Sequence, residues 1–329
     1  MRKLFGAAVA ALVLASPALA QEKVPAVVYD LGGRFDKSFN EAAYTGAEKF
    51  KKESGVAYRD FEIQNDAQRE QALRNFARSG NDPVVAIGFS FGSALEKVAG
   101  EFPNTRFAIV DMVVEKPNVR SILFKEHEGS YLVGLLAGMA SKTGKVGFVG
   151  GMDIPLIRKF ACGYVQGAKA GNGKVEVLQN MTGTTGQAFR DPVKGGELAR
   201  SQIERGADVI YHAAGATGIG VLQAAADAGK LGIGVDSNQN ALHKGKVLTS
   251  MLKRVDVAVY DAFTDAKAGK WSAGFKVLGL AEGGVAWALD DNNAALISAD
   301  MKAAVAKAEA DIKSGAVKVH DYMSDSKCP

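Results

Sequence analysis

The chain has 329 residues, with 40 Lys and Arg against 36 Asp and Glu and a formal net charge of +4 at pH 7. So slight a basic excess gives no electrostatic case for nucleic-acid binding, which draws its affinity from phosphate contacts. The four histidines, at 127, 212, 243 and 320, and the two cysteines, Cys162 and Cys328, form no cluster at metal-ligand spacing, so neither a metal nor another cofactor is expected.

In chain order, Arg2 and Lys3 precede an apolar run over 4–14 that closes near the small-residue triplet Ala18-Leu19-Ala20. This is the pattern of a secretory signal peptide over 1–20, with the mature chain starting at Gln21. Gln21, not a cysteine, stands directly after that cleavage point, so a lipid anchor on an N-terminal cysteine is not expected. The expectation is a freely diffusing periplasmic protein. An oxidising compartment favours a bond between Cys162 and Cys328, two free thiols being the alternative. About 309 mature residues exceed one compact core, and two lobes are expected.

Short β-branched runs then alternate with amphipathic segments, the pattern of βα units in parallel sheets. The first series places strands at 24–29, 56–63, 84–87, 106–110 and 121–124, with helices at 38–52 and 67–78. A helix at 129–141 leads into a second series, with strands at 145–149, 175–179, 209–211, 233–235 and 247–251 and helices at 154–169, 187–205 and 219–228. A helix at 255–267, a strand at 275–278 and an Ala-rich helix at 293–312 complete the chain.

In open parallel sheets a ligand sits beyond the carboxyl ends of the strands, so the strand-to-helix turns carry the functional information. The first, Asp30 to Asn40, holds two glycines, a capping Asp36 or Ser38, and Phe39 in the first helical turn, where a ring can face a cleft and stack a flat heterocycle. Asp111 closes "RFAIVD" and Asp236 closes "IGVD". Ionised carboxylates are acceptors only and suit a ligand rich in O–H and N–H groups. Lys253 follows "VLTSML" and offers an opposing donor.

The glycine-rich turn "HAAGATGIG" lacks the spacing of a dinucleotide fingerprint, and none of the five Gly-Lys dipeptides stands in a P-loop. "GFSFG", Gly88 to Gly92, matches a nucleophile elbow and makes an exported hydrolase using Ser90 the enzymatic alternative, without an HGGG-type oxyanion segment before it.

Six stretches, "YDLGGRFDKSFNEAAYTGAEKF", "HEGSYLVGLLAGMASKTGKVGFVGG", "HAAGATGIGV", "IGVDSNQ", "LTSMLKRVDVAVYDAF" and "GLAEGGVAWAL", together resemble the basic membrane protein family of ABC-transporter substrate-binding proteins, the purine nucleoside receptor group. The resemblance implies a non-enzymatic receptor of the type I periplasmic-binding-protein fold, an α/β molecule of two doubly wound parallel-sheet lobes joined by three crossovers. The expected division is 21–124 plus about 254–278 for the N-terminal lobe and 125–253 plus about 279–329 for the C-terminal lobe.

It also implies ligand contacts from Asp30, Phe39 and Asn40, a base-reading carboxylate at Asp111, a ribose-binding pair at Asp236 and Lys253, and backbone approach at Gly215. Phe91 and Phe160 are the two candidates for a second aromatic wall. The implied partners are a purine nucleoside and an inner-membrane permease with its ATPase, served by a monomer. A free base or another small polar solute is the alternative ligand.

Overall fold

The computed structural model describes residues 23–329, so the leader expected over 1–20 lies outside the described residues. In the first half, β1 (Ala26–Tyr29), β2 (Arg59–Glu62), β3 (Val84–Ile87), β4 (Phe107–Val110) and β5 (Val119–Phe124) are separated by α1 (Phe39–Ser54), α2 (Gln68–Arg78) and α3 (Gly92–Glu101). Every residue of β1, β3 and β4 is buried, as strands covered by helices on both faces must be. β2 at the sheet edge alternates exposed with half-buried residues.

The second half repeats the plan. α4 (Glu126–Ala140) leads to β6 (Lys145–Met152), α5 (Pro155–Gly171), β7 (Glu176–Gly183), α6 (Pro192–Glu204), β8 (Val209–Ala213), α7 (Thr217–Asp227), β9 (Leu231–Asp236) and β10 (Val247–Lys253). The helix expected at 187–205 starts later, because Asp191 caps the Lys194 amide and Pro192 sits in the first turn. Residues Gly186–Phe189 form a separate single turn of 3₁₀ helix.

After β10 the chain exchanges sheets twice more. α8 (Val255–Lys267) packs on α1, and β11 (Gly274–Leu278) adds to the first sheet parallel to β5. β12 (Val285–Trp287) then pairs antiparallel with β10, Met251 facing Trp287, before α9 (Ala299–Ser314). A three-residue strand is too short for periodicity to reveal. The sheet orders are β11-β5-β4-β3-β1-β2 and β12-β10-β9-β8-β6-β7, so the chain passes between sheets after β5, after β10 and after β11. This is a two-lobed type I arrangement with three crossovers.

One apolar cluster runs without a break from Phe50 and Phe263, under the first sheet, to Phe148 and Tyr164, under the second. The opposite faces carry their own smaller cores, around Leu73 and Leu95 in one lobe and Val221 and Ala225 in the other. Cys162 on α5 is bonded to Cys328, which fastens the end of the chain to the C-terminal lobe. Gln166 holds the same tail through both backbone groups of His320, at 3.0 and 2.8 Å.

α4 and α5 approach so closely that their contact is built from glycine. A Cβ on Gly167 would lie 2.0 Å from the Tyr131 carbonyl oxygen, and one on Gly134 would lie 2.3 Å from that of Tyr164. Backbone cannot yield as a side-chain tip can, so Gly167→Ala is expected to cost about 1–3 kcal/mol, read as a lowered melting temperature of about 2–4 °C per kcal/mol. Gly100→Ala, at a helical site with nothing within 4 Å, is expected to be neutral or stabilising in the same measurement.

Candidate functional site

The carboxyl ends of both sets of strands meet at one cleft of about 590 Å³. Asp30 follows β1, Gly88 follows β3 and Asp111 follows β4. Ala213, Asp236 and Lys253 end β8, β9 and β10 from the opposite side.

On the N-terminal-lobe side, the turn after β1 is held by its own side chains. The Asp36 carboxylate accepts the backbone N–H groups of Ser38, Asn40 and Glu41 at 2.8, 3.0 and 3.1 Å, occupying the free donors of the α1 N-terminus. Asp36, not Ser38, is thus the cap. Burial outweighs those three donors and pushes the Asp36 carboxyl up to about 7. The Asn40 amide spans the backbone N–H and C=O of Asp30, each at 3.2 Å, and fixes the strand end. Asp30 Oδ1 accepts from Arg69 at 2.6 Å.

Ser38, freed from capping, reaches the other lobe. Its hydroxyl donates to Asp236 Oδ2 at 2.5 Å, and its carbonyl accepts from Ser237 Oγ at 2.7 Å. Gln239 Nε2 donates to the Lys37 carbonyl at 3.0 Å, while Gln239 Oε1 is fixed by the Val235 amide and His212 Nε2, both at 2.9 Å. These bonds clasp the start of α1 against the end of β9.

Asp111 and Asp236 share an unusual backbone. Both are strand-end residues at positive φ, 68° and 63°, a region that only Asn, Asp and Gly tolerate readily. Such strain persists where the surroundings impose it and tends to mark functional positions. Asp111 Oδ2 accepts from Lys253 Nζ at 2.6 Å, across the lobes, and Asp111 Oδ1 is buried without a hydrogen-bond partner. Burial lifts the Asp111 carboxyl to about 6 in spite of Lys253, and burial also raises that of Asp236. Against burial, Asp111, Glu126 and Asp236 keep Lys253 protonated, above the usual lysine value. The Lys253 ammonium also lies 5.1 and 5.4 Å from the rings of Phe39 and Phe160.

Of the residues expected at the site, Asp30, Phe39, Asn40, Asp111, Phe160, Gly215, Asp236 and Lys253 line this cleft. Phe91 does not, and its candidacy as a second wall is corrected. It is fully buried in the core beneath α3, with the Arg69 guanidinium 5.4 Å from its ring centre. One turn of 3₁₀ helix, Phe89–Phe91, directs Phe89 to the cleft in its place.

The sequence reading missed Phe189, which lines the cleft from the 3₁₀ turn after β7, its ring 6.4 Å from that of Phe89 across the mouth. Reading 187–205 as one helix hid it; the Asp191-Pro192 start signal was the clue. The Thr217 hydroxyl bonds the Ala188 carbonyl and the Asp191 amide, both at 2.8 Å, and so fixes Phe189. Leu156 and Ile157 add apolar lining. Gly215, at φ 56°, passes below Phe189, where a Cβ would come 3.4 Å from its carbonyl oxygen. Among the described residues no group of three His, Cys, Asp or Glu side chains is placed to hold a metal, and no helix is long and apolar enough to cross a membrane.

Two α/β lobes linked by three strands of chain, with polar groups from both converging on one cleft, define a solute-binding protein of the type I fold. The model of the Bmp family, described as ABC transporter substrate-binding protein PnrA-like, matches residues 23–321. The chain belongs to this family, whose members are solute-binding proteins and not enzymes. The hydrolase alternative at Ser90 is set aside with that membership.

A solved solute-binding protein of an ABC transporter system from Aeropyrum pernix superimposes with a TM-score of 0.83 at 32% identity, over 90% of this chain and 92% of that one. The ABC transporter nucleoside-binding protein BmpA of Lactococcus lactis is 34% identical over 89% of this chain and 88% of its own. A Pyrococcus furiosus relative, 40% identical over 82% of this chain and 71% of its own, is named an uncharacterized lipoprotein, as are those of two further Pyrococcus species at 39%. These names overturn the expectation of a freely diffusing periplasmic protein, since they imply lipid anchoring among such close relatives.

The buried carboxyls make stability depend on pH with a definite sign. Asp36, at about 7 in the fold against an ordinary value near 4, stabilises as the neutral acid. That contribution is present in full below about pH 4 and is lost as the pH rises through about 7. Thermal melts from pH 4 to 8 should therefore show a downward slope component between pH 5 and 7 that Asp36→Asn removes; identical slopes in the two proteins would show that Asp36 does not titrate there.

Proposed function

We propose that the cleft captures a purine nucleoside and that the closed, loaded protein delivers it, as a monomer, to the membrane permease of an ATP-driven importer. The observation that carries this reading is the pairing of aromatic walls with unspent acceptors. Phe39, Phe89, Phe160 and Phe189 line the same cleft as Asp111, whose Oδ1 has no partner, and Asp236. Flat rings suit a base, and each base–aromatic stack is worth about 1–3 kcal/mol. Carboxylates from both lobes suit the hydroxyls of a ribose and the N–H groups of a base edge, two donors to a carboxylate.

The sign of the charge supports a nucleoside over a nucleotide. Asp30, Asp36, Asp111 and Asp236 all border the cleft, and Lys253 is the cation bordering it. Lys253 is already committed to Asp111 and, at 3.0 Å, to Glu126. A phosphate would meet a lining in which aspartates outnumber lysine and the one ammonium is already paired, whereas neutral donors meet acceptors. The name of the Lactococcus lactis relative agrees with this reading.

Closure follows from the same contacts. A ligand shifts the balance between open and closed forms only by its differential affinity for them, and one held by Asp111 on one lobe and Asp236 on the other has that affinity for the closed form alone.

Adenosine, guanosine or inosine at 100 times its dissociation constant should stabilise the protein by about 2.7 kcal/mol, seen as a raised melting temperature. The corresponding 5′-monophosphates should give no shift. Asp236→Ala should abolish the shift, and Phe189→Ala should weaken binding roughly 10- to 100-fold, as the loss of one stack predicts. No shift with any nucleoside, or an equal shift with a free base, would overturn the assignment.

A further inference from the structure

Lys253 is held by two carboxylates that belong to different moving parts. Asp111, 2.6 Å away, hangs from β4 in the N-terminal lobe. Glu126, 3.0 Å away, is the first residue of α4, just past the first crossover. Lys253 itself ends β10, and α4 packs directly on β10: a Cβ on Gly129 would lie 2.8 Å from the Met251 sulfur. When the lobes part, Asp111 leaves with β4, while Glu126 stays with Lys253 on elements that remain packed together.

Glu126 is 1% exposed and stands behind the residues that line the cleft. Its two oxygens lie 3.0 Å from Lys253 and 3.0 Å from Lys159, yet neither has a hydrogen bond in good geometry. It acts as a charge between two ammonium groups. The other carboxylate acting on Lys253, Asp236, has its Oδ2 engaged by Ser38. Lys159 is anchored independently: it donates to the Phe124 carbonyl at 2.7 Å and lies 3.5 Å from Asp321 of the C-terminal tail.

We propose that Glu126 is a positioning residue, the standing counter-ion of Lys253, which keeps that buried ammonium paired when opening of the cleft removes Asp111 and so sets how readily the binding site opens. The physical ground is that a buried ion pair that loses one partner leaves an uncompensated charge, which is strongly unfavourable. With Glu126 present, opening breaks one of two pairs. Without it, opening would leave Lys253 with Asp236 alone, the carboxylate on neighbouring β9 that Ser38 releases as the lobes part. Lys159 draws on the same carboxylate and moderates its hold on Lys253.

The two lysine-facing substitutions therefore act in opposite directions, which a merely structural role for either would not produce. Nitroxides attached at Lys97→Cys and Gln223→Cys, exposed sites one on each lobe, report the interlobe distance of refolded, ligand-free protein by pulsed electron resonance. Glu126→Gln should move the open-to-closed ratio toward closed by at least about fivefold, and Lys159→Gln should move it toward open. Glu126→Asp, which retracts the charge and retains it, should fall between wild type and Glu126→Gln and serves as the reading if Glu126→Gln does not fold. An unchanged ratio, or a shift toward open in Glu126→Gln or Glu126→Asp, would overturn the proposal. It rests on lobe closure alone, and because every measurement lacks nucleoside, failure of the nucleoside assignment would leave its outcome readable.

Discussion

One buried ammonium organises the centre of this molecule. Lys253 is 2% exposed, yet it lies between Asp111 of one lobe and Glu126 at the first crossover, with three phenylalanine rings, Phe39, Phe124 and Phe160, within 5.1 to 5.4 Å of its charge. A lysine in such surroundings would lose its proton if it stood alone. The acidic side chains around it reverse that, and it in turn allows Asp111 to be buried at a strand end. Removing the cation would leave several carboxylates facing one another in a confined space.

The same arrangement explains how four aspartates and a lysine around an otherwise apolar cleft can coexist with a stable fold. Charges at the strand ends are held by elements that converge there for topological reasons, since every parallel strand points its carboxyl end at the other lobe. The turn after β1 shows the economy of the design. Asp36 caps α1, and this releases Ser38 to clasp Asp236 and Asn40 to brace Asp30. Three neighbouring polar residues have three different jobs, and none competes for another's partner.

Much of this was legible in the amino-acid order. The alternation of buried strands with helices defined two parallel-sheet lobes, and strand-end aspartates marked Asp30, Asp111 and Asp236. What stayed hidden was set by direction instead of residue type. Phe91 and Phe89 stand two residues apart in one 3₁₀ turn, and only the backbone decides which enters the core. Phe189 was lost inside an over-long helix because the Asp191-Pro192 boundary was passed over. Asn40 reads equally well as a ligand donor or as a backbone brace until its distances are known. Glu126 gave no signal at all, since one acidic residue at a helix start is ordinary and its meaning comes from two lysines distant in the chain.

The three passages between sheets carry a consequence for how the chain is made. The first sheet is incomplete until β11, ending at Leu278, has been synthesised, and the tail is fastened to α5 only once Cys328 has been made. Neither lobe can therefore mature on the growing chain as a finished unit. The first 124 residues must wait, with the flank of β5 unpaired, for a strand encoded some 150 positions later. A nascent polypeptide of this topology carries an open strand edge for most of its synthesis, the kind of edge that invites aggregation before folding is complete.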